Sequence, residues 1–570
     1  MGPIAWELEG PRPIEKSSST LVHMARPYHE DEPPAETADS LPKGASSYGS
    51  QAARHAIRDR RTRRTPLLAL IVVIGAAVAA YLVPACGFVR SKSATFDETI
   101  YLGLAEQTRG EGRADPRMFH YGVAPLPVWL WHLPVAEARP RRWLLEGRGS
   151  DARSIGRARR LALLFAGCTG VAGVAGWLAW RRGPSWGLAA GLLLAWSPSW
   201  IAHGALATTD GLFAVATLGV VATLVALVKG PGIATLALTA TVMGLALATK
   251  YTALVLALPA LGLAASAARR MGRASWPVAC AAWPLAALLV AWTGHGRLTV
   301  PRAPRPENPT AWRPAWWVGL AAQAAHQRNG HRAYLLGRRS THGWWSYFPI
   351  AFFCKSSPSE LVAALALVAA GGVGAARGLA ARRGGRGRLL RAAFFADPLP
   401  YVAATLILAL VAALLASRVQ IGHRYFLPVY PLLILLIIDR LARGRHRTWM
   451  HGAAWLLVGA QAVEAARTSP HYLAYFSPLA GGTSQGHRWL GDSNLDWGQD
   501  LVALAAVWRD TPRSTCRLWY FGTADPRAYD PAGDGWPRFS RADLRDGTWQ
   551  EVAISVTILQ AIYEGTPLVE

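Results

Sequence analysis

Long runs of Ala, Leu and Val decide what this chain can fold into. Several of them reach the roughly 20 residues that an α-helix needs to cross the hydrocarbon core of a bilayer, for example Pro66 to Cys86, Leu161 to Trp180, Thr209 to Val228 and Tyr251 to Ala268. The chain has 570 residues, of which 52% are hydrophobic and only 17% are charged. A soluble protein of this size would not need so many long apolar runs. The sequence therefore predicts an all-α polytopic membrane protein.

Basic residues cluster at the ends of the apolar runs, and they predict the topology. Lys and Arg concentrate on the cytoplasmic side of membrane proteins. Arg58–Arg64 precedes the first run, so we expect a cytoplasmic N-terminus, and with alternating spans the later clusters also fall inside: Arg181–Arg182, Lys229, Arg269–Arg273, Arg382–Arg391 and Arg440–Arg447. The net charge of +25 is thus a topology signal rather than a sign of a nucleic-acid partner, although part of it will attract anionic membrane lipids.

The same pattern predicts about eleven transmembrane helices with the C-terminus outside. We place them near residues 66–86, 160–180, 186–201, 206–228, 232–248, 251–268, 276–294, 346–371, 399–417, 425–439 and 449–466. The membrane is expected to be the inner (plasma) membrane of a bacterium, because the Ala, Arg and Gly content is typical of a GC-rich genome.

The segments outside the spans define three further regions. Residues 1–60 are rich in Pro, Ser and Glu and predict a disordered cytoplasmic tail ahead of a transmembrane domain at 61–466. The first outer loop, 87–159, has Trp-rich apolar segments that predict interfacial helices, and 295–345 forms a second outer loop. Residues 467–570 contain polar turns and strand-like runs such as Val552–Val556, which predict a small α/β outer cap domain.

A pair of carboxylates, Asp97 and Glu98, opens the first outer loop within the segment Phe96–Tyr101. Ionisable groups at a membrane are costly unless they have cations or a substrate to act on. One interpretation is therefore that this pair carries chemistry. The other is that it simply begins a solvated interfacial helix.

The chain gives no indication of a metal or another cofactor. Its five cysteines form no CxxC or Cys/His spacing, so neither a zinc site nor a disulfide framework is predicted. Asp492, Asn494 and Asp496 resemble the start of a calcium loop. Trp497 follows where that loop requires Gly, and the distal Glu is absent, so we reject a calcium loop.

The carboxylate pair is the first of seven segments that together form a family pattern. In order, these segments resemble motifs of the dolichyl-phosphate-mannose protein mannosyltransferase superfamily of GT-C integral-membrane glycosyltransferases, which also includes the bacterial lipid A aminoarabinose transferases. The match is nearest to a bacterial subgroup that depends on a phospholipid carrier. The segments are Phe96–Tyr101, Ala202–Asp210, Leu245–Thr252, Phe348–Pro358, Gly422–Pro431, Pro470–Phe476 and Asp492–Asp500.

The resemblance implies an inverting transfer of a sugar from a polyprenyl-phosphate carrier to an acceptor hydroxyl at the outer face. Asp97 is then the expected general base, and Glu98 either orients the acceptor or pairs with an arginine. Lys250, Arg424 and Lys355 are expected to hold the donor phosphate, with Lys355 behind the other two inside the span 346–371. The alternatives are a snorkelling Lys250 and an Arg424 that only anchors the interface.

Supporting roles follow from the same motifs. Asp210 either caps the next helix or holds an arginine beside the catalytic pair. Arg160, or Arg159 before it, either reaches the carboxylate pair or anchors the interface. Tyr101 belongs to the acidic motif, and His203 is expected to be a hydrogen-bonding spacer rather than a base. The resemblance implies no metal requirement for the protein-mannosyltransferase branch, whereas a related oligosaccharyltransferase branch does use a metal.

Two other functions fit part of the pattern. A transporter or lipid flippase would also be polytopic, but it would place polar residues near the bilayer midplane in paired halves. The motif residues here lie mainly at outer span ends. An inactive relative acting as a scaffold is the third reading, and the presence of all four of Asp97, Glu98, Lys250 and Arg424 argues against it. The sugar and the acceptor, whether protein, lipid or glycan, are not encoded in any motif.

Overall fold

Helices dominate the computed structural model of this chain. It describes residues 66–111, 116–133, 152–272, 275–294, 299–301, 312–383, 393–444, 446–530, 533–539, 543 and 549–563. The described residues belong to one compact unit, and residues 1–64, which include the predicted tail, lie outside the described residues.

The first half of the chain contains the four longest apolar helical segments and the helices of the predicted first outer loop. Their bounds are α1 Leu67–Ser91, α2 Phe96–Glu111, α3 Pro116–His120, α4 Pro125–His132, α5 Ala152–Ala162, α6 Thr169–Arg182, α7 Pro184–Ala195, α8 Pro198–Ala205, α9 Asp210–Lys229, α10 Ile233–Thr249, α11 Leu254–Ala268 and α12 Ser275–Gly294. A single π-helical stretch, Leu163–Cys168, joins α5 to α6.

The second half alternates helices with short strands. Its helices are α13 Ala315–Asn329, α14 Tyr347–Lys355, α15 Pro358–Arg383, α16 Leu399–Leu415, α17 Val429–Ala442, α18 Arg447–Thr468, α19 Gly486–Trp489, α20 Leu501–Val507 and α21 Val556–Leu559. Its strands are β1 Thr299–Pro301, β2 Trp312–Pro314, β3 Ala333–Leu335, β4 Arg338–Ser340, β5 Cys516–Trp519 and β6 Glu551–Ile554.

Four helical segments of the described chain are long and apolar enough to cross a membrane: Leu67–Ser91, Ser154–Arg182, Asp210–Lys229 and Tyr251–Met271. Five shorter apolar helices accompany them. In the first segment only 17% of the apolar window is buried within the protein, and side chains such as Leu68 and Val83 face outward. Apolar surface of this extent requires lipid around it, so the chain is a membrane protein. The number of eleven spans stays a prediction.

Two predicted spans are interrupted in the structure. The span 186–201 divides into α7 and α8 at Trp196 and Ser197, and the span 346–371 divides into α14 and α15 at Ser356 and Ser357. Each second helix begins with a proline, which lacks the N–H that a continuous helix would use and disfavours helical backbone in the residue before it. The expectation of one unbroken helix around Lys355 is therefore wrong, because Lys355 is the last residue of a short helix.

Small residues allow the apolar helices to pack closely. α6 and α7 form an antiparallel pair, in which Gly187 lies directly against Ala175 and Ala179 of α6, with no room for a Cβ atom. Gly244 of α10 approaches the backbone of α12 in the same way, with 2.5 Å from its ideal Cβ to the carbonyl oxygen of Ala287. Close approach of this kind is typical of helix packing in membranes.

Strands in the described chain occur as three two-stranded sheets. β1 pairs with β2 and β3 with β4 in antiparallel register, whereas β5 pairs with β6 in parallel register. The predicted strand around Val552 is present as β6. Whether residues 467–570 behave as a separate outer domain stays a prediction.

Candidate active site

A cavity of about 760 Å³ lies where four of the predicted motifs meet. Its polar end is formed by the start of α2, the junction of α10 with α11 and the turn that precedes α17. Its walls come from α11, α13 and α16. The charged and hydroxyl side chains at the polar end are Asp97, Tyr101, Thr249, Lys250, Thr252 and Arg424, and the apolar walls include Val255, Leu320, Leu410 and Leu414.

Four charged side chains form one cluster at the polar end. The Arg424 guanidinium donates through Nη1 to Asp97 Oδ2 at 2.5 Å and lies 3.5 Å from Asp210 Oδ2. Lys250 donates to the other oxygen of Asp210. Asp210 is buried, and its side chain is only 1% exposed. The cluster therefore holds two cations and two anions in a chain of alternating charge, which keeps each group paired in a partly dry environment.

Local backbone structure aims each of these side chains into the cavity. Lys250 ends α10 in an extended conformation, after which Tyr251–Ala253 makes a 3₁₀ turn. Arg424 lies in another 3₁₀ turn, His423–Phe426. Asp210 occupies the first turn of α9, where a carboxylate also interacts favourably with the helix dipole. Thr209, the N-cap residue, makes no side-chain capping bond.

The Asp210 carboxylate contacts Lys250 and faces Arg424, as the charge-pairing interpretation of Asp210 requires. Lys250 and Arg424 are each paired with a carboxylate of the cluster. Burial lowers the pKa of Lys250, although Asp210 opposes this effect. For Arg424, burial would lower the pKa, but Asp97 and Asp210 raise it well above its usual value, so the guanidinium stays charged.

Aromatic rings support the two cations, and the sequence reasoning did not single them out. The Arg424 guanidinium lies 4.2 Å from the centroid of the Trp497 ring, and the Lys250 ammonium lies 4.5 Å from that of Tyr425. Such cation–π contacts favour a fixed cation. Tyr101 donates to Asp97 Oδ2 at 3.3 Å. Both Tyr425 and Trp497 lie inside recognised motifs, and this position was the sequence signal that could have identified them.

Glu98 has a different environment from its neighbour Asp97. It is completely buried and forms a two-point ion pair with Arg159, with 2.8 Å from Nε to Oε1 and 2.7 Å from Nη2 to Oε2. Its carboxylate also accepts from the backbone of Thr95 and Ala207 and from the Thr95 hydroxyl. Burial would raise the pKa of Glu98, but Arg159 and these donors hold it below its usual value.

Arg159 also connects this pair to the end of α1. Its guanidinium donates at 2.8 Å to the carbonyl oxygens of both Lys92 and Ser93. Both oxygens of the Glu98 carboxylate thus accept hydrogen bonds from groups within the protein, which indicates a structural role. Arg160, the predicted supporting residue, is exposed, so it is Arg159 that reaches the carboxylate pair.

Two other predicted residues lie near the cluster but are not among the described residues that line the cavity. His203 is buried with its ring centroid 6.4 Å from that of Trp497, and burial lowers its pKa to about 3. Lys355 donates to the carbonyl oxygens of Leu473 at 2.9 Å and Asn494 at 2.6 Å. In the part of the chain that the structure describes, no three His, Cys, Asp or Glu side chains converge as metal ligands would.

The solved structures that resemble this chain include two crystal structures of ArnT from Cupriavidus metallidurans. The structure bound to undecaprenyl phosphate is 18% identical with a TM-score of 0.39, and the match covers 71% of this chain and 65% of that one. The apo structure is 16% identical with a TM-score of 0.42, over 86% and 87% of the two chains.

This chain thus spans a little under two thirds of the first of these neighbours. No protein-family model matches the sequence, and no curated protein matches it either.

Proposed function

We propose that this chain is a membrane glycosyltransferase that moves a sugar from a polyprenyl-phosphate carrier to an acceptor hydroxyl at the outer face of the bacterial inner membrane. One observation carries the proposal: a single cavity has two fixed cations at one end and apolar side chains along its walls. A lipid phosphate has the same two parts, an anionic head and a hydrocarbon tail.

The head of the donor would bind at Lys250 and Arg424. A phosphodiester brings one negative charge and two free oxygens, which suit a planar guanidinium together with an ammonium point charge. The two carboxylates now pair with these cations, Asp97 with Arg424 and Asp210 with Lys250. Because Asp97 is the more exposed of the two, at 18% against 1%, it is the carboxylate that an incoming phosphate would displace.

The tail of the donor would lie along the apolar walls. Val255 of α11, Leu320 of α13 and Leu410 and Leu414 of α16 line the cavity, and α11 and α16 belong to the apolar helices of the membrane region. Because the prenyl chain is already surrounded by hydrocarbon in the bilayer, its transfer to these walls gains little from the hydrophobic effect. The walls accommodate the chain, and the two cations select phosphate and fix its position.

Asp97 becomes a base when the donor phosphate takes its place beside Arg424. A carboxylate paired with a guanidinium is a weak proton acceptor, and it becomes a stronger one when phosphate takes the guanidinium. Asp97 then takes the proton of the acceptor hydroxyl while that oxygen attacks the anomeric carbon. The bond from this carbon to the phosphate oxygen breaks, and its electron pair stays on the phosphate beside Lys250 and Arg424. A direct displacement of this kind inverts the anomeric centre.

The other predicted residues would support this step. Tyr101 orients Asp97, and Asp210 holds Lys250 in place. Lys355 acts through the field of its charge, because its ammonium is already engaged by two carbonyl groups. His203 is a neutral spacer behind Trp497. Glu98 holds the first outer loop to α1 through Arg159, and no catalytic role is assigned to Arg160.

Transfer in membranes tests the proposal. Membranes that contain the chain would be given undecaprenyl phosphate carrying radiolabelled mannose, glucose, galactose or arabinose, and the label would be followed into lipid, protein and polymer fractions. Asp97→Asn and Arg424→Ala should abolish transfer. The matched controls are Asp534→Asn and Arg338→Ala, which change exposed residues of the same types.

The outcomes separate the candidate functions. Transfer that is lost in both site variants and kept in both controls would support the transferase and would identify the acceptor class. Equal transfer by the Asp97→Asn variant would remove Asp97 as the base. Absence of transfer from every donor, with normal amounts of folded protein, would contradict the proposal and favour a transporter or flippase.

A further inference from the structure

Four side chains that have no part in the mechanism above form an unbroken line of hydrogen bonds from the cavity into the outer region. His326 Nε2 lies 2.9 Å from His331 Nδ1, and His331 Nε2 lies 3.0 Å from the Tyr563 hydroxyl. The Tyr563 hydroxyl donates to Asp492 Oδ2. Of these four residues, His326 lines the donor cavity. They come from α13, the segment before β3, the chain after α21 and the turn Asp492–Asn494.

The hydrogen count along this line fixes its direction. Because Tyr563 gives its only hydroxyl proton to Asp492, its oxygen must accept a hydrogen bond from His331 Nε2. A neutral His331 then has an unprotonated Nδ1, which accepts from His326 Nε2. His326 in turn keeps an unprotonated Nδ1. The line is therefore ordered to take up a proton at His326 and to deliver one at Asp492.

The surroundings keep the two histidines neutral and the aspartate ready to accept a proton. Burial lowers the pKa of His326, and burial together with His326, Arg424 and Arg332 lowers that of His331 to about 4. Burial raises the pKa of Asp492 to about 6, with Arg424 opposing and Asp97 adding to the effect. Burial, and then Asp492, raises the pKa of Tyr563, so its phenol stays protonated.

A second and more open cavity lies beside the middle of this line. It has a volume of about 450 Å³, and its lining includes Arg332, Ala561 and Ile562, the chain neighbours of His331 and Tyr563. Arg332 Nη1 also donates to the Tyr563 carbonyl oxygen at 2.9 Å, which holds the two segments together. The line thus begins in the donor cavity and passes beside the second cavity.

We propose that His326, His331, Tyr563 and Asp492 form a proton exit path that removes from the filled donor cavity the proton released by glycosyl transfer. This inference rests on the proposed function, because transfer to a hydroxyl is the step that releases a proton. When donor, acceptor and prenyl chain fill the cavity, they exclude the bulk water through which Asp97 would otherwise lose its proton. The line of side chains then provides a route for this proton through the protein.

The proton balance is complete without another reactant. His326 lines the same cavity as Asp97, and its Nδ1 takes up the proton that Asp97 received from the acceptor, relayed by a hydroxyl group or an ordered water between them. The proton on His326 Nε2 passes to His331 Nδ1, that on His331 Nε2 passes to Tyr563, and the Tyr563 proton passes to Asp492. Both histidines end neutral in the opposite tautomer, and Asp492 ends protonated. The line resets once Asp492, which is 6% exposed, has lost its proton to solvent and the two imidazoles and the Tyr563 hydroxyl have reoriented.

The path has a consequence for product release. After transfer, the lipid phosphate carries one more negative charge than the donor diester did, and it remains beside Lys250 and Arg424. Once Asp97 has passed on its proton, its carboxylate again competes for Arg424 and drives the phosphate out. A blocked path should therefore slow release of the product while leaving the first chemical step intact.

The first arm of the test is independent of any transfer activity. NMR of the full chain in nanodiscs, with isotope-labelled histidine nitrogens, should show His326 and His331 neutral with the proton on Nε2. In Asp492→Asn the amide oxygen must face the Ser493 N–H, which donates to Asp492 Oδ1 at 2.5 Å in the natural chain. The amide NH₂ then faces Tyr563 and reverses every bond, so both histidines should switch to Nδ1–H. Unchanged tautomers would overturn the path.

The second arm measures turnover with whichever undecaprenyl-phosphate sugar of the panel above supports transfer. Tyr563→Phe and Asp492→Asn should keep the rate of the first turnover and lower the steady-state rate at least about tenfold, as expected when a proton-transfer step is removed. Tyr401→Phe, which changes an exposed tyrosine of α16, serves as the matched control. His342→Gln is the matched control for His326→Gln.

The outcomes distinguish the path from the function on which it rests. A natural chain that transfers no sugar contradicts the proposed function. A natural chain that transfers normally, with steady-state rates unchanged in Tyr563→Phe and Asp492→Asn, contradicts the exit path alone. Equal loss of the first turnover and of the steady state would also overturn it, since the line would then act in the chemical step itself. The NMR spectrum of each variant confirms that it is folded.

Discussion

Replacement of two adjacent carboxylates should give opposite results. Glu98→Gln should destabilise the protein, whereas Asp97→Asn should leave stability nearly unchanged and abolish transfer. Glu98 is completely buried and accepts five hydrogen bonds, two of them from Arg159. Asp97 keeps part of its side chain exposed, at 18%, and faces the cavity. The two substitutions are chemically matched and differ only in environment.

The expected size of the Glu98→Gln effect follows from its contacts. An amide has one oxygen, so its NH₂ group must face either Arg159 Nε and the Ala207 N–H or Arg159 Nη2 and the Thr95 N–H, all of which are donors. Arg159, itself buried, would also lose its counter-charge. Breaking a buried ion pair in this way costs about 3–5 kcal/mol. That is a large share of the roughly 5–15 kcal/mol by which folded domains are stable.

Unfolding in detergent, followed by tryptophan fluorescence over a range of pH, would measure the effect. The pKa of Glu98 is lowered from its usual 4.5, so its contribution to stability is complete above that value and is lost as the pH falls through the lower folded pKa. The natural chain should therefore weaken on acidification more than the Glu98→Gln variant does. An unchanged unfolding midpoint in Glu98→Gln would refute the structural role and return Glu98 to the catalytic candidates.

Three further substitutions test other parts of the structure. Arg424→Lys keeps the charge but loses the planar contact with Trp497, so the donor KM should rise about tenfold in the transfer assay; an unchanged KM would contradict recognition by the guanidinium. Lys355→Met leaves two buried carbonyl groups without a donor and should cost about 1–3 kcal/mol in detergent unfolding, with a smaller rise in donor KM than Lys250→Met gives. Asp439→Asn removes the charge of a fully buried carboxylate that pairs with three partly exposed arginines. The free energy of unfolding should fall by about 2–3 kcal/mol, less than in Glu98→Gln because solvent screens the arginines. An unchanged free energy of unfolding would show that this cluster is not structural.

The meeting of Asp97, Lys250 and Arg424 was predictable from the sequence. Each stands in a recognised motif, and the positive-inside pattern assigns each motif to the outer ends of spans. Charged groups at one face of a helical bundle must find each other or solvent, because lipid cannot accommodate them. Their pairing with Asp210 was left open, since a residue at a helix start has both a capping and an ionic use.

The choice between Arg159 and Arg160 shows what a sequence cannot resolve. Successive residues of a helix point about 100° apart, so a shift of one position turns a buried side chain into an exposed one. The π-helical stretch after α5 changes the rotation further along this segment. No pattern of apolar residues specifies such a local change, and the sequence therefore offers two candidates for one partner.

The line from His326 to Asp492 was beyond sequence reasoning for another reason. Its members come from three distant parts of the chain, at residues 326–331, 492 and 563. They lie in turns and near element ends, where no periodicity of apolar residues shows which face is buried. The interruption before Pro358 carried a signal, because proline disfavours a continuous helix. The length of the apolar run outweighed that signal in the prediction of one unbroken span.

The guanidinium of Arg159 connects Glu98 at the beginning of α2 to the carbonyl groups at the end of α1. We therefore expect the two helices to move together. Of the four described segments that are long and apolar enough to cross a membrane, α1 has the smallest buried share of its apolar window, 17%. A bilayer that is thinner or thicker than its apolar length changes its tilt. Any such tilt is passed on to Asp97 at the mouth of the cavity, so the lipid chain length of the host membrane becomes a control on the distance between this carboxylate and Arg424. Turnover in vesicles of graded acyl-chain length should then pass through a maximum, with an optimum that reports the resting tilt of the first helix.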